Sequence, residues 1–259
     1  MDLGRIRDIG VAAAARAGEI LLNYWGRTHT VGKKGAIDLV TEADLASENA
    51  IIQLIRAVFP DHSVLAEESG VTPGADAYEW IIDPLDGTTN YAHHLPEFSL
   101  SIAFAFEGDI VFGVVLNPVT GELFCGTRGQ EATLNGLPIR VSSTKILGES
   151  LLVTGFPYDL KSVIRPLICR FERCLMAAQG VRRLGSAALD LCYVACGRFD
   201  GFWEQNLAPW DTAAGMVIAQ EAGATISDFS NGSYSIGKKE ILATNGLIHQ
   251  EMTALLTLS

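Results

Sequence analysis

The stretch that most constrains this chain is Tyr78-Glu79-Trp80-Ile81-Ile82-Asp83-Pro84-Leu85-Asp86-Gly87-Thr88-Thr89-Asn90, where an apolar run delivers two carboxylates into a tight turn containing glycine. Trp80, Ile81 and Ile82 have the bulk of a buried strand. Pro84 has no ladder N–H, so the strand is expected to stop near Asp83. Asp83 and Asp86 then stand three residues apart on a bend. Two ionised carboxylates held that close at the end of an apolar strand raise one another's pKa unless a cation lies between them. Gly87 and Thr88 lead into Thr89 and Asn90, and their amides are expected to open a helix and face an anion such as a phosphate oxygen. Oxygen ligands for a hard cation beside amides for a phosphate read as metal-assisted phosphoryl chemistry. The competing reading is turn chemistry alone, since Asp-Pro and Asp-Gly pairs are common punctuation.

Two further acid-bearing stretches favour a shared site. Ser63-Val64-Leu65-Ala66-Glu67-Glu68-Ser69-Gly70 again ends an apolar run in acids and then turn residues. Pro209-Trp210-Asp211-Thr212-Ala213-Ala214-Gly215 places Asp211 in the first turn of a helix, where an acid also complements the helix dipole on structural grounds.

The charge balance bears on what such a site would meet. A net charge of −11 argues against a basic nucleic-acid face or an anionic membrane as the main partner. It also looks wrong for an anionic phosphate ester, unless divalent ions occupy part of the acid excess and dominate locally. The chain of 259 residues, 48% hydrophobic and 19% charged, has an ordinary soluble composition and suits one large or two modest domains. Its five cysteines form no C-x-x-C pair and are odd in number, which reads as buried thiols in a reducing cytoplasm. Met1 to Asp8 shows no signal-peptide core, and no run approaches membrane-spanning length, so a cytoplasmic location is expected. No G-x-S-x-G, H-E-x-x-H, Walker A or G-x-G-x-x-G occurs, so serine hydrolase, zincin, ATPase and dinucleotide readings lack their parts. The neighbouring His93 and His94 point apart in most backbones and are not read as metal ligands.

The expected elements run as follows. A packing helix covers Leu3 to Trp25, Gly32-Lys33-Lys34-Gly35 forms a cationic loop, and Thr41 with Asp44 resembles a capping box before a helix ending at Phe59-Pro60. Phe98 to Phe106 and Ile110 to Leu116 read as strands of a broad antiparallel sheet covered by the first two helices. Rising polarity from Thr144 to Glu149 suggests a boundary between an N-terminal α+β domain, 1–145, and a C-terminal α/β domain, 146–259. The second unit alternates strands and helices, with helices at 162–178, 186–196, 209–222 and 247–256 and strands at 151–154, near Val181, and at 199–204, 224–227 and 241–244.

The stretches Glu67-Glu68-Ser69, Trp80 to Asn90 and Pro209 to Gly215 resemble the signatures of the inositol monophosphatase family. Asp38-Leu39-Val40-Thr41-Glu42-Ala43-Asp44 and Arg183-Leu184-Gly185-Ser186-Ala187-Ala188 extend the resemblance over nearly the whole chain. The resemblance implies a layered α-β-α-β-α sandwich of the inositol monophosphatase and fructose-1,6-bisphosphatase type. It implies a lithium-sensitive homodimeric phosphomonoesterase that uses two or three Mg²⁺ ions to hydrolyse a sugar or polyol phosphate, inositol monophosphate foremost. Glu67, Asp83 and the Leu85 carbonyl would hold one ion; Asp83, Asp86 and Asp211 a second; a weaker third would lie near Glu67. Glu67 and Thr88 would orient the attacking water, with Asp44 orienting Thr88. Glu67, Asp86, Gly87, Thr88, Gly185, Ser186, Ala187 and Asp211 would surround phosphate and substrate, and Glu204 would accept polyol hydroxyls. Arg182 and Arg183 keep two readings, surface ion pairing or contact with a second phosphate. Fructose-1,6-bisphosphate, histidinol phosphate and 3′-phosphonucleotides stay as alternative substrates, and a binding role in a larger assembly as an alternative function.

Overall fold

The structure is a computed structural model that describes residues 1–25, 32–33, 39–40, 42–157, 160–161 and 163–258. It opens with α1 (Leu3–Tyr24), capped by the Asp2 carboxylate, which accepts from the Arg5 amide. Ile6, Gly10, Ala13, Ala14, Ala17 and Leu21 are buried along one stripe at helical spacing. β1 (Gly32–Lys33) and β2 (Leu39–Val40) pair antiparallel, so part of the expected cationic loop is strand. Its remainder, together with Asp38 and Thr41 of the expected capping box, lies outside the described residues. Then come α2 (Glu42–Val58), β3 (His62–Ala66), β4 (Gly70–Thr72), β5 (Ala75–Asp86) and the short α3 (Thr88–Ala92).

β6 (Ser99–Phe106), β7 (Asp109–Asn117), β8 (Glu122–Thr127), β9 (Thr133–Leu134) and β10 (Leu137–Pro138) complete an eight-stranded sheet of order β10-β9-β8-β7-β6-β5-β3-β4. It is not wholly antiparallel, because β3 runs parallel to β5. Strand β5 also continues past Asp83. Asp83 pairs with Ser101 and Asp86 with Ser99, so the three-residue step on β5 faces a two-residue step on β6. The donor that Pro84 removes is absorbed as a bulge, which the expected stop at Asp83 overlooked.

The second half comprises β11 (Leu151–Thr154), α4 (Ile164–Ala177), β12 (Gly180–Arg182), α5 (Ala187–Ala195), β13 (Gly201–Gln205), α6 (Pro209–Glu221), β14 (Thr225–Ser227), β15 (Glu240–Thr244) and α7 (His249–Leu256). Its sheet has the order β12-β11-β13-β15-β14, parallel around β11 and antiparallel around β15. Three apolar cores separate the layers. One joins α1 and α2 to the first sheet, one lies between the sheets around α5 and α6, and one fills the space between the second sheet, α4 and α7. The order is therefore α-β-α-β-α.

Side-chain size on β6 and β7 sets the distance between layers. Leu100, Ile102, Phe104, Phe112 and Val114 fill the core shared with α1 and α2. On the opposite face Ala103, Ala105 and the cross-strand pair Gly113 and Gly126 leave a shallow strip on which α6 lies. A Cβ on Gly113 would stand 2.7 Å from the Ala214 Cα, and one on Gly126 2.8 Å from the Ile218 Cα. These contacts are with helix backbone, which cannot rotate away. Gly113→Ala is accordingly expected to displace α6, cost about 1–3 kcal/mol by overpacking and lower activity through Asp211 at the helix start. Thermal unfolding and turnover measured on one preparation test this, and an unchanged melting temperature would reject it.

Candidate active site

Helix α2 fixes both turns that carry the first acids. The buried Ser47 hydroxyl donates to the Pro84 carbonyl at 3.0 Å, pinning the bulge in β5. One residue on, the buried Glu48 carboxylate accepts from the Glu68 and Ser69 amides at 2.8 and 2.9 Å, which shapes the turn after Glu67. Asp44 lies a turn earlier on the same helix, buried, and its charge adds to the field on Asp83. Within the bulge, Asp83 Oδ1 accepts from the Leu85 amide at 3.0 Å and the Thr88 hydroxyl donates to the Leu85 carbonyl at 3.0 Å. The backbone thus turns Asp83, the Leu85 carbonyl and Thr88 toward one space.

Gly87 makes the bend into α3 with φ of 92°, a left-handed conformation that side-chain-bearing residues rarely adopt. A Cβ there would lie 3.0 Å from the Glu97 carbonyl and 3.2 Å from that of Gly185, so the two halves of the chain meet at this point. Asn90 closes the same seam, its amide donating to the Glu97 and Leu184 carbonyls. Asp86 crosses it as well: Oδ2 accepts from the Ser186 hydroxyl at 2.6 Å and the Ala188 amide at 2.8 Å. Ser186 is the N-cap of α5, so Asp86 sits against the positive end of that helix. From the remaining side, Asp211 in the first turn of α6 accepts from the Ala208 amide at 2.7 Å. The Ser101 hydroxyl ties the adjacent Trp210 carbonyl to β6.

These residues line one cavity of about 100 Å³, space for several waters. Glu67, Asp83, Leu85, Asp86, Gly87, Thr88, Gly185, Ser186, Ala187, Glu204 and Asp211 all face it, drawn from stretches as far apart as residues 67 and 211. Asp44 backs the cavity without lining it. Arg183, at the rim, is the only basic residue among the described lining.

Burial and crowding of like charge dominate the electrostatics. Desolvation, then the charges of Glu67, Asp86, Asp211 and Asp44, push the Asp83 pKa well above the ordinary carboxylate range. Asp86 is raised to about 6 by desolvation, against the lowering effect of its bonds from Ser186 and Ala188. Asp211 rises through desolvation and the Asp86 charge, and Glu204 through desolvation, Asp211 and Asp86. Among the described residues the acids do not close into a ready three-ligand shell. They instead line a shared space, several with an oxygen already held by a backbone or hydroxyl donor. An all-oxygen donor set with uncompensated negative charge fits a hard divalent cation that keeps some of its water.

Sequence reasoning passed over five residues that the fold brings to the site. Asp190 lines the cavity one helical turn after Ser186, a spacing that already put it on the same face. Gly155 and Phe156 follow β11 directly, and Leu207 precedes α6; nothing in their local sequence marks them. Glu48 works from behind, and its spacing from Asp44 on one helix face was the available signal. Of the five cysteines expected to be buried, Cys125, Cys174 and Cys192 are buried and Cys169 and Cys196 are half-buried, and none lines the cavity among the described residues.

Comparison with known proteins agrees with this geometry. The chain is 46% identical to an inositol-1-monophosphatase of Synechocystis over 97% of its own length and 88% of the relative's. It is 42% identical to the Nus factor SuhB of Escherichia coli, covering 95% and 94% of the two chains. Its fold superposes on the inositol monophosphatase of Anabaena with a TM-score of 0.91 at 44% identity, covering 99% of this chain and 96% of that one. The extragenic suppressor protein suhB of Bartonella henselae gives a TM-score of 0.93 at 38% identity, covering 98% of each chain. Among the described residues no helix is long and apolar enough to cross a membrane. Because the model of the inositol monophosphatase family matches residues 2–258, spanning every acid-bearing stretch that meets in the cavity, this chain belongs to that family and is a phosphatase.

Proposed function

We propose that the enzyme hydrolyses inositol monophosphate to inositol and phosphate with the help of Mg²⁺, and that Glu67, Asp83, the Leu85 carbonyl, Asp86 and Asp211 hold the ions. The observation that carries this reading is the convergence of four carboxylates, Glu67, Asp83, Asp86 and Asp211, on a cavity where the rim Arg183 is the only basic residue among the described lining. Such a site binds a phosphate ester only when divalent charge is present. When bound, the ions lower the pKa of water and offset negative charge on the phosphoryl oxygens and the departing alkoxide.

The chain's own groups do the positioning. Thr88, whose hydroxyl is held beside the Leu85 carbonyl, and Glu67 orient the attacking water, with Asp44 supporting the Thr88 side of the turn. Gly87, Ser186 and Ala187 bring backbone and hydroxyl donors to the phosphate, and Gly185 shapes the opposite wall. Glu204, seated against Gly155, accepts hydroxyl hydrogens of the polyol. Residues 1–145 and 146–259 act as two domains whose seam is the active site, the first supplying most ligands and the second Asp211 and the substrate contacts.

Phosphate release from inositol monophosphate, fructose-1,6-bisphosphate, histidinol phosphate and a 3′-phosphonucleotide, each with Mg²⁺ and with EDTA, tests the assignment. Inositol monophosphate is expected to be turned over fastest and only with the metal. Faster hydrolysis of any other ester, or release that survives EDTA, would overturn it. Lithium titration and gel filtration on the same sample address the expected inhibition and homodimer. Similarity to proteins named Nus factor SuhB supports a second reading, in which the chain also serves a larger assembly. Equal recovery of co-purifying partners by wild type and by Asp83→Asn would separate that role from catalysis.

A further inference from the structure

Asp190 is fully buried in α5, and neither of its carboxylate oxygens has a hydrogen-bond partner among the described residues. Buried polar atoms are almost always paired, and an orphaned buried carboxylate is more costly than an orphaned neutral group. A hydroxyl donor brought into the cavity with the substrate would supply the partner that the described residues do not. The fold says where it would come from, because Asp190 lines the same cavity as the phosphate-facing Ser186, one turn further along α5. Glu204 approaches from β13, near enough for its charge to act on Asp190. That approach depends on Gly155, where an added Cβ would collide with the Glu204 carboxylate.

We infer that Asp190 is a specificity-determining residue, which with Glu204 forms an acceptor pair selecting esters whose alcohol is a neutral polyol presenting hydroxyl donors. The two carboxyl groups are not bonded to each other, since both Asp190 oxygens are without a partner among the described residues, so acceptor positions stay open at this end of the cavity. Hydroxyl groups supply the missing hydrogens, directly or through one bridging water. A second phosphate placed at this end would bring acceptors against acceptors, with the Arg183 charge, which acts on both carboxyls, as a partial offset, so the pair disfavours bisphosphates as well as accepting polyols by bonding. The inference deepens the phosphatase reading and rests on it for the orientation of the substrate.

The test compares wild type with Asp190→Asn on three Mg²⁺-supported substrates: inositol monophosphate, an inositol bisphosphate, and phenyl phosphate, whose alcohol has no further hydroxyl. The ratio of kcat/KM for inositol monophosphate over phenyl phosphate is expected to fall about tenfold, carried by KM, as loss of one acceptor oxygen predicts. The preference for monophosphate over bisphosphate should narrow in the same variant, and the melting temperature should not drop. A loss that is equal on inositol monophosphate and phenyl phosphate, or an unchanged ratio, would overturn the assignment. Asp190→Ser, smaller and uncharged, provides the same ratios if the Asn variant does not fold. If the wild type hydrolyses phenyl phosphate but not inositol monophosphate, the substrate assignment alone has failed. Glycerol phosphate then takes the polyol place in the ratio.

Discussion

Asp83→Asn is expected to lose Mg²⁺-dependent phosphate release by on the order of 10³-fold or more in kcat, since one carboxylate is asked to serve two ions. The fold should be untouched. Asn keeps an oxygen for the Leu85 amide, now held by Asp83 at 3.0 Å, so the bulge in β5 retains its internal bond. It also removes one negative charge from a buried group crowded by Glu67, Asp86, Asp211 and Asp44. The metal-free variant should therefore melt at or above the wild-type temperature while being inactive. Asp211→Asn makes the same double prediction, with the Ala208 amide still satisfied by the remaining oxygen. Asp109→Asn breaks only an exposed ion pair with Arg128 and provides the control, with a stability change inside about 1 kcal/mol. Phosphate release and thermal unfolding on the same preparations decide the matter. Retained turnover in both site variants would remove the ligand assignment, and a marked fall in melting temperature would recast these acids as structural.

Much of the site was legible in the sequence because its acids stand where local rules ask only for an element to end or begin. Asp83, Asp86, Glu67 and Asp211 each follow an apolar run or open a helix, local patterns that announce an element's end without reference to its neighbours. Charge placed where local rules ask only for a turn is the mark of residues kept for chemistry rather than packing. What local pattern does not carry is the meeting of distant segments. Asp190 reads as one polar residue in an otherwise apolar helix until β13 brings Glu204 opposite. Glu48 looks like a surface acid until α2 is laid against the turn it stabilises. The bulge at Pro84 failed for a similar reason. Proline's missing N–H ends a ladder by local rule, but the pairing of Asp86 with Ser99 resumes it because β6 has donors and acceptors to offer beyond the gap. The layer order entered through the family resemblance, and the structure supplies its physical reason: large side chains of β6 and β7 on one face and glycines on the other let α6 come closer than α1 and α2.

Without divalent ions the protein should be more stable near pH 5 than near pH 8, a direction opposite to that of most carboxylate-rich folds. Asp86 is raised from 3.8 to about 6, and Asp83, Asp190, Glu204 and Asp211 are raised as well, each chiefly by burial. A group that holds its proton more tightly when folded contributes fully below its unfolded pKa, and that contribution is lost as pH climbs through the folded value. For Asp86 the loss falls between about pH 4 and pH 6, and the others act in the same direction as pH rises above the ordinary carboxylate range. His62 and His249 act with the opposite sign, because burial lowers both and their protonation below about pH 6.5 costs stability. His249 is held between the Ser227 and Thr244 hydroxyls, so its charging disturbs a buried pair of bonds. The carboxylate effect is isolated by comparing wild type with Asp83→Asn, which keeps both histidines: the variant's pH slope in EDTA should be shallower. Mg²⁺ at about 100 times its Kd adds roughly 2.7 kcal/mol, which for a chain of this size raises the melting temperature by about 5–10 °C. That gain should appear near pH 8, where the acids are ionised, and shrink toward pH 5, where protons compete for the same oxygens. Melting curves in EDTA and in Mg²⁺ across this range test both halves. Equal Mg²⁺ stabilisation at the two ends would mean that the ion binds elsewhere than among these carboxylates.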